Sequence, residues 1–231
     1  MGLLTLPPSQ ETNKKFTKRI MANIILIAFL AAFALIAYRS HRKAVLSKRE
    51  RLIDSFQFPD AIPQKVIEKY PHLSRRDADR VVNGLREYFQ LCNIAGNRMV
   101  SMPSQVVDLA WHEFILFTRK YYYFCNRALG RFLHHTPAEA MRSPTVAQAG
   151  IKTAWRISCY REKISPDSAK KLPLLFAMDA KLNIPDGFKY SLNCSRPGSN
   201  DYCAGHIGCG SGCGGGCGGD SSGCGGGCGG D

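Results

Sequence analysis

Nineteen consecutive residues, Ile20 to Tyr38, read IMANIILIAFLAAFALIAY with Asn23 as the only strongly polar side chain. At a helical rise of ~1.5 Å per residue this run just spans a ~30 Å hydrocarbon core. Backbone amides have no water to bond there, so helix is the conformation such a run must take. Lys14, Lys15, Lys18 and Arg19 flank one end; Arg39, Arg42, Lys43, Lys48, Arg49 and Arg51 flank the other, and Tyr38 stands where an interfacial aromatic belongs. The competing reading is a cleaved signal peptide, because Ala32-Phe33-Ala34 imitates a cleavage site. Against it stand the nineteen-residue leader, the apolar residues beyond that site and the basic stop-transfer flank. The expectation is a single-pass anchor in the cell (inner) membrane, its partner there the lipid bilayer. The six-to-four bias in basic residues puts the C-terminal side in the cytoplasm.

Charge then divides the chain. Residues 1–51 carry ten Lys/Arg against two Asp/Glu, residues 52–193 twenty against thirteen, and residues 194–231 one against three. Much of the +13 net charge is therefore a membrane flank, and it gives no strong nucleic-acid signal. The organisation expected is a basic leader (1–19), a transmembrane helix (20–38), a basic juxtamembrane segment (39–55), a helical domain (56–193) and a Cys/Gly-rich tail (194–231). The domain is long enough for one hydrophobic core. Of the ten cysteines only Cys92, Cys125 and Cys159 fall inside it, among apolar neighbours, as buried free thiols in a reducing compartment would.

Within the domain the pattern is mainly α. Phe56 to Pro63 reads as the entering linker, and a short helix follows to Tyr70, before Pro71. Ser74-Arg-Arg-Asp77 has the form of a capping box, and Ala78, Val81, Val82, Leu85, Phe89 and Cys92 recur behind it at helical spacing up to a stop at Gly96. Pro103 or Ser104 opens a central helix expected to run unbroken to Leu129, before Gly130, with Val107, Ala110, Trp111, Phe114, Phe117, Thr118, Tyr121, Phe124 and Cys125 on one wide face. Further helices are expected from Ser143-Pro144 to about Lys163 and from Leu172 to Leu182, with local strand pairing at Lys189 to Leu192.

Chemistry concentrates on that central helix. Asp108 and His112 are four apart, so their side chains stack on one face, where His112 is expected to be held by Asp108 and largely buried. His134 and His135 follow on a turn that can fold back, and with Cys125 they offer a donor set that zinc accepts. Three readings stay open for the group: a structural polar cluster, a metal site and a catalytic acid/base pair.

The run Met102-Pro-Ser-Gln-Val-Val-Asp108-Leu-Ala-Trp111-His112-Glu-Phe-Ile-Leu-Phe-Thr118 is continued by Tyr121, Phe124-Cys125 and Gly130-Arg-Phe-Leu-His134-His135-Thr-Pro137. It resembles the bacterial branch of the glycine-rich domain-containing protein-like family. The resemblance extends from about Phe58 to Cys194, including Leu172-Pro-Leu-Leu-Phe and Ile184-Pro-Asp-Gly-Phe. It implies family membership with the Asp-x-x-Trp-His core at Asp108, Trp111 and His112, and no particular activity. Plant members carry an RNA-binding association, but no RNP-type motif occurs here to bring it over.

The tail holds Cys209, Cys213 and Cys217 at Cys-x3-Cys spacing, then Cys224 and Cys228. With almost no apolar side chains it is expected to be disordered when unliganded, with soft thiolate donors for Zn²⁺ or Cu(I). The leading function is a membrane-tethered, non-enzymatic binding module that docks an unknown protein partner. The alternative is a metal-dependent or acid/base enzyme centred on Asp108, His112 and His134/His135. RNA binding through Arg119, Lys120, Tyr121, Tyr122 and Tyr123 would need exposed rings.

Overall fold

The computed structural model describes residues 8–135, 144–192, 202–204 and 207. It is mainly helical, as the periodicities indicate. The elements are α1 (Pro8–Ser55), α2 (Ala61–Lys69), α3 (Arg75–Ala95), α4 (Gln105–Leu116), α5 (Thr118–Phe124), a π-helical turn (Cys125–Leu129), α6 (Pro144–Arg161), α7 (Leu174–Lys181) and the short strands β1 (Tyr190–Ser191) and β2 (Tyr202–Cys203).

α1 is one helix of 48 residues. Its stretch Met21–Ser55 is long and apolar enough to cross a membrane, and its most apolar part is not buried against the rest of the described residues. The basic segment after Tyr38 continues the same helix, and its last turns enter the domain, where Ile53 is fully buried.

α3 docks antiparallel on that end. Its Arg86 guanidinium donates to the carbonyls of Ile53, Asp54 and Phe56, its Gln90 amide to Glu50 O at 3.0 Å and Asp54 Oδ1 at 2.7 Å, and its Asn93 amide to Leu46 O at 3.3 Å. Arg86 thus gives side-chain donors to carbonyls that α1 leaves orphaned at its C-terminus, while Gln90 and Asn93 add second bonds to carbonyls within the helix. Arg161 of α6 completes the seam with a bidentate pair to Glu87 of α3 at 2.6 and 3.0 Å and a bond to Glu50 of α1 at 3.3 Å.

The start of α3 follows the sequence. Ser74 Oγ accepts from Asp77 N at 3.2 Å while the Asp77 carboxylate accepts from Ser74 N at 3.2 Å, the reciprocal pair of a capping box. On the buried face of α3, Gly84 lets its neighbours close in: a Cβ there would stand 2.9 Å from Val107 and 3.0 Å from Met178. Phe89 joins Phe58, Phe114 and Phe124 in an aromatic centre, with ring centroids 4.7 Å (Phe89–Phe124), 5.1 Å (Phe58–Phe114) and 5.5 Å (Phe114–Phe124) apart.

The unbroken helix expected to reach Leu129 is not what forms. Phe117, at φ −80° and ψ 57°, ends α4, and the chain restarts as α5. A straight helix would carry one apolar stripe further than a core of this size can cover. The break releases Phe117 and Thr118 to the surface and turns Tyr121 and Phe124 back onto Phe114, at 5.3 and 5.5 Å. The π-helical turn then stops at Gly130, whose φ of 69° is left-handed and whose open side is filled by the Arg49 guanidinium of α1.

Local pairing near Lys189 is present, in parallel: Tyr190 faces Tyr202 and Ser191 faces Cys203. Within the Cys/Gly segment, Tyr202 and Cys203 therefore pair with the domain, with Ala204 buried and Ile207 against the core. Cys203 is disulfide-bonded. Residues 208–231, with Cys209, Cys213, Cys217, Cys224 and Cys228, lie outside the described residues.

One buried carboxylate joins the second half of the domain. Asp179 of α7 is 2% exposed and accepts from Ser104 Oγ (2.6 Å), Gln105 N (2.7 Å), Val106 N (3.3 Å) and Phe188 N (2.8 Å). It thereby caps α4 from another helix, where the helix dipole favours an anion, and holds the Ile184–Phe188 turn. Asp179→Ala strands these donors, and a loss of roughly 3–5 kcal/mol is expected in denaturant titration of the detergent-solubilised chain. A loss below ~1 kcal/mol would show the carboxylate to be dispensable.

Candidate metal centre

Asp108 lies in the first turn of α4 and is helped there by the positive helix end. Its carboxylate is partly sheltered, at 20% side-chain exposure, and His112 stands one turn on, more open at 47%. The third member comes from the segment after the π-helical turn. The left-handed Gly130 reverses the chain, Arg131 fastens it by donating to Gly96 O at 2.7 Å, and the Tyr121 hydroxyl donates to the Leu133 carbonyl. Trp111 Nε1 donates to that same hydroxyl at 3.2 Å. These bonds set the backbone two residues before His135, whose ring lies edge-on to Trp111 at 4.6 Å between centroids.

His135 meets both α4 side chains. Its Nε2 is 3.1 Å from Asp108 Oδ1 and its Nδ1 is 3.3 Å from His112 Nε2. An ionised carboxylate only accepts, so Asp108 selects the tautomer with the proton on Nε2 and leaves a lone pair on His135 Nδ1. His112 Nε2 is 3.7 Å from Asp108 Oδ2, beyond direct hydrogen bonding. The expectation that His112 is buried and held by Asp108 is thus corrected: the imidazole so held is His135, 13% exposed. Helical spacing aligned the first pair, but the reach favours the residue that arrives from across the turn.

Asp108, His112 and His135 can each present one donor atom with all three atoms inside 4.8 Å. The other two residues expected here go elsewhere. His134, adjacent to His135 and so facing another way, packs its ring 4.8 Å from Phe132 and is exposed. Cys125 is fully buried with its thiol toward Tyr121 and the Leu133 backbone. Burial raises its pKa, which opposes the thiolate a metal would need. Cys92 is pushed up to about 12 by the same cause. Of the aromatic trio expected for RNA, Tyr121 is in the core while Tyr122 and Tyr123 are exposed. The Tyr121 clamp on Leu133 has no signal in the sequence, where Tyr121 reads as one more core aromatic.

The two imidazoles differ in what they support. His112→Ala should leave stability within ~0.5 kcal/mol, and His135→Ala should cost roughly 1–3 kcal/mol by stripping the half-buried Asp108 carboxylate of its donor. Thermal unfolding of both variants checks this, and equal losses would contradict the geometry.

With this geometry established, comparison with protein-family models matches residues 48–209 to the UCP032817-like family. No curated protein and no solved structure matches the chain.

Proposed function

The chain belongs to the UCP032817-like family, and from that footing we propose that it is a membrane-anchored helical binding module with a surface site for a transition ion, zinc first, at Asp108, His112 and His135. The observation that carries the reading is the 3.3 Å between His112 Nε2 and His135 Nδ1. Two imidazole nitrogens bound at ~2.05 Å to one tetrahedral zinc stand about 3.3 Å apart. Asp108 supports the same reading because a ligating histidine typically gives its other N–H to a carboxylate. The carboxylate is then either the orienting partner or, through Oδ2, a third ligand.

The matched family segment begins at residue 48, inside the last turns of α1, so it takes in the helix end that joins the domain to the apolar span. Exposed Leu116, Tyr122 and Tyr123 supply a surface for a protein partner. The finer kinship to the bacterial branch of the glycine-rich domain-containing protein-like family belongs to this proposal and rests on Asp108, Trp111 and His112. A second reading, a metal-dependent enzyme, draws on the openness of His112, which leaves the remaining coordination positions to solvent and substrate.

Zinc retained after dialysis of the full chain tests the site. A chain ending at Ile207 should keep one equivalent and lose whatever the five later cysteines hold. His112→Ala combined with His135→Ala should abolish that equivalent, and Asp108→Asn should weaken it by about 10–100-fold. Uptake should fall on acidification, because protons compete for both imidazoles. A shortened chain that holds no zinc, or a double variant that still does, would overturn the reading.

The six-to-four basic bias supports a cytoplasmic domain. An alkaline phosphatase reporter fused after Asp231 should then be inactive. Activity would place the domain, with its disulfide at Cys203, on the oxidising side.

A further inference from the structure

The seam between α1 and α3 fixes more than stability, because it sets the height of every domain surface along the axis of the apolar span. Arg86 meets α1 at Ile53 to Phe56, Gln90 at Glu50 and Asp54, and Asn93 at Leu46. Seven residues up α3 thus correspond to about seven residues back along α1, as for two antiparallel helices of equal rise. Gly96 N still bonds Cys92 O, so the register carries to the end of α3 and brings the start of the Gly96–Met99 turn level with Lys43, next to Arg42. Arg42 lies four residues past Tyr38, about 6 Å beyond the apolar run. A phospholipid headgroup layer is roughly 5–8 Å thick on each side of the hydrocarbon. The turn after α3 therefore sits at headgroup height.

The chemistry of this end suits that position. Asn97, Arg98 and Met99 are exposed, Met99 at 37%. Arg131 braces the turn through Gly96 O, while Arg39, Arg42 and Lys43 are exposed on the neighbouring stretch of α1. No acidic residue occurs on α1 between Tyr38 and Glu50, nor along the chain from Tyr88 to Val107. The result is a basic end surface with an apolar methionine at its tip, next to the point where α1 would leave the bilayer.

We propose that this end of the domain, formed by the Gly96–Met99 turn with Arg98, Arg131, Arg39, Arg42 and Lys43, docks on anionic phospholipid headgroups of the bilayer that α1 spans. Helix polarity alone would place basic residues beside the span. What the tertiary structure adds is a second chain segment at the same height, so that the domain is held by two contacts and its tilt is fixed. Guanidinium groups engage phosphates, Met99 enters the interface, and the attraction depends on lipid charge and is screened by salt. The proposal rests on the membrane-anchor reading and is independent of the metal site.

The test uses the full chain with Met99→Trp, reconstituted in nanodiscs whose phosphatidylcholine carries a headgroup nitroxide, with and without phosphatidylglycerol. Trp111 and Trp155 are buried and give a constant background. Tyr160→Trp is the distal control: Tyr160 is 77% exposed and adjoins Arg161, which bonds Glu50, about 18 Å beyond Tyr38 along the helix. The expected result is quenching at position 99 that deepens with phosphatidylglycerol, falls to the level of the control on adding Arg98→Glu with Arg42→Glu, and weakens with salt. Quenching that ignores lipid charge, or equals the control from the start, overturns the docking while leaving the anchor intact. Failure of the chain to stay with the nanodisc at alkaline pH overturns the anchor and the docking together. A labelled RNA oligonucleotide bound by the detergent-solubilised chain and lost with Arg98→Glu, in the absence of lipid-dependent quenching, would assign the surface to nucleic acid and overturn the proposal.

Discussion

A long apolar helix that ends inside a protein domain has to bring its last carbonyls with it, and nothing apolar can satisfy them. In this chain Arg86 meets that need. Its guanidinium takes the carbonyls of Ile53, Asp54 and Phe56, and Gln90 and Asn93 extend the contact back along α1. Burial lowers the pKa of Arg86 and the Asp54 carboxylate opposes that, so the cation is kept where the orphan acceptors require it. Because α3 also packs on α2, α4, α6 and α7, fixing α3 on α1 fixes the position of the domain with respect to the span.

The polar centre depends on the same frame at one remove. Phe117 breaks the long apolar stripe, α5 turns inward, and Tyr121 becomes available to grip Leu133. Only then does His135 arrive beside Trp111, with Asp108 on one nitrogen and His112 on the other. Two of its three side chains come from one helical turn; the third comes from a turn held by hydrogen bonds to Gly96 and Leu133. A site assembled in this way is positioned by the core without lying in it, which is why His112 can be open while its neighbours are sheltered.

Asp179 plays the corresponding part at the N-terminus of α4. Sequence pattern offers no hint of it, since a lone Asp between Met178 and Ala180 in a short helix reads as an outward-facing charge. In three dimensions it is buried, with four donors converging on it, and it replaces the local side-chain cap that α4 would otherwise need from Ser104 alone, whose bond to Val107 N is long at 3.4 Å.

The sequence by itself determined what depends on near neighbours along the chain. The apolar span at Ile20 to Tyr38, the capping box at Ser74 and Asp77, the stop at Gly96, the helical character of the domain and the placing of Asp108 and His112 one turn apart on one helix all follow from rules that act over one or two turns. Tertiary structure decided what depends on long-range reach. It broke the central helix at Phe117, because a core of limited length cannot cover one long stripe. It chose His135 over His134, because adjacent side chains diverge and only one could face Asp108. It folded Tyr202 to Ala204 back onto the domain and set Asp179 beneath α4. Each of these outcomes turns on which distant groups can satisfy a buried polar atom or fill a space, and that information is not carried by any local stretch of residues.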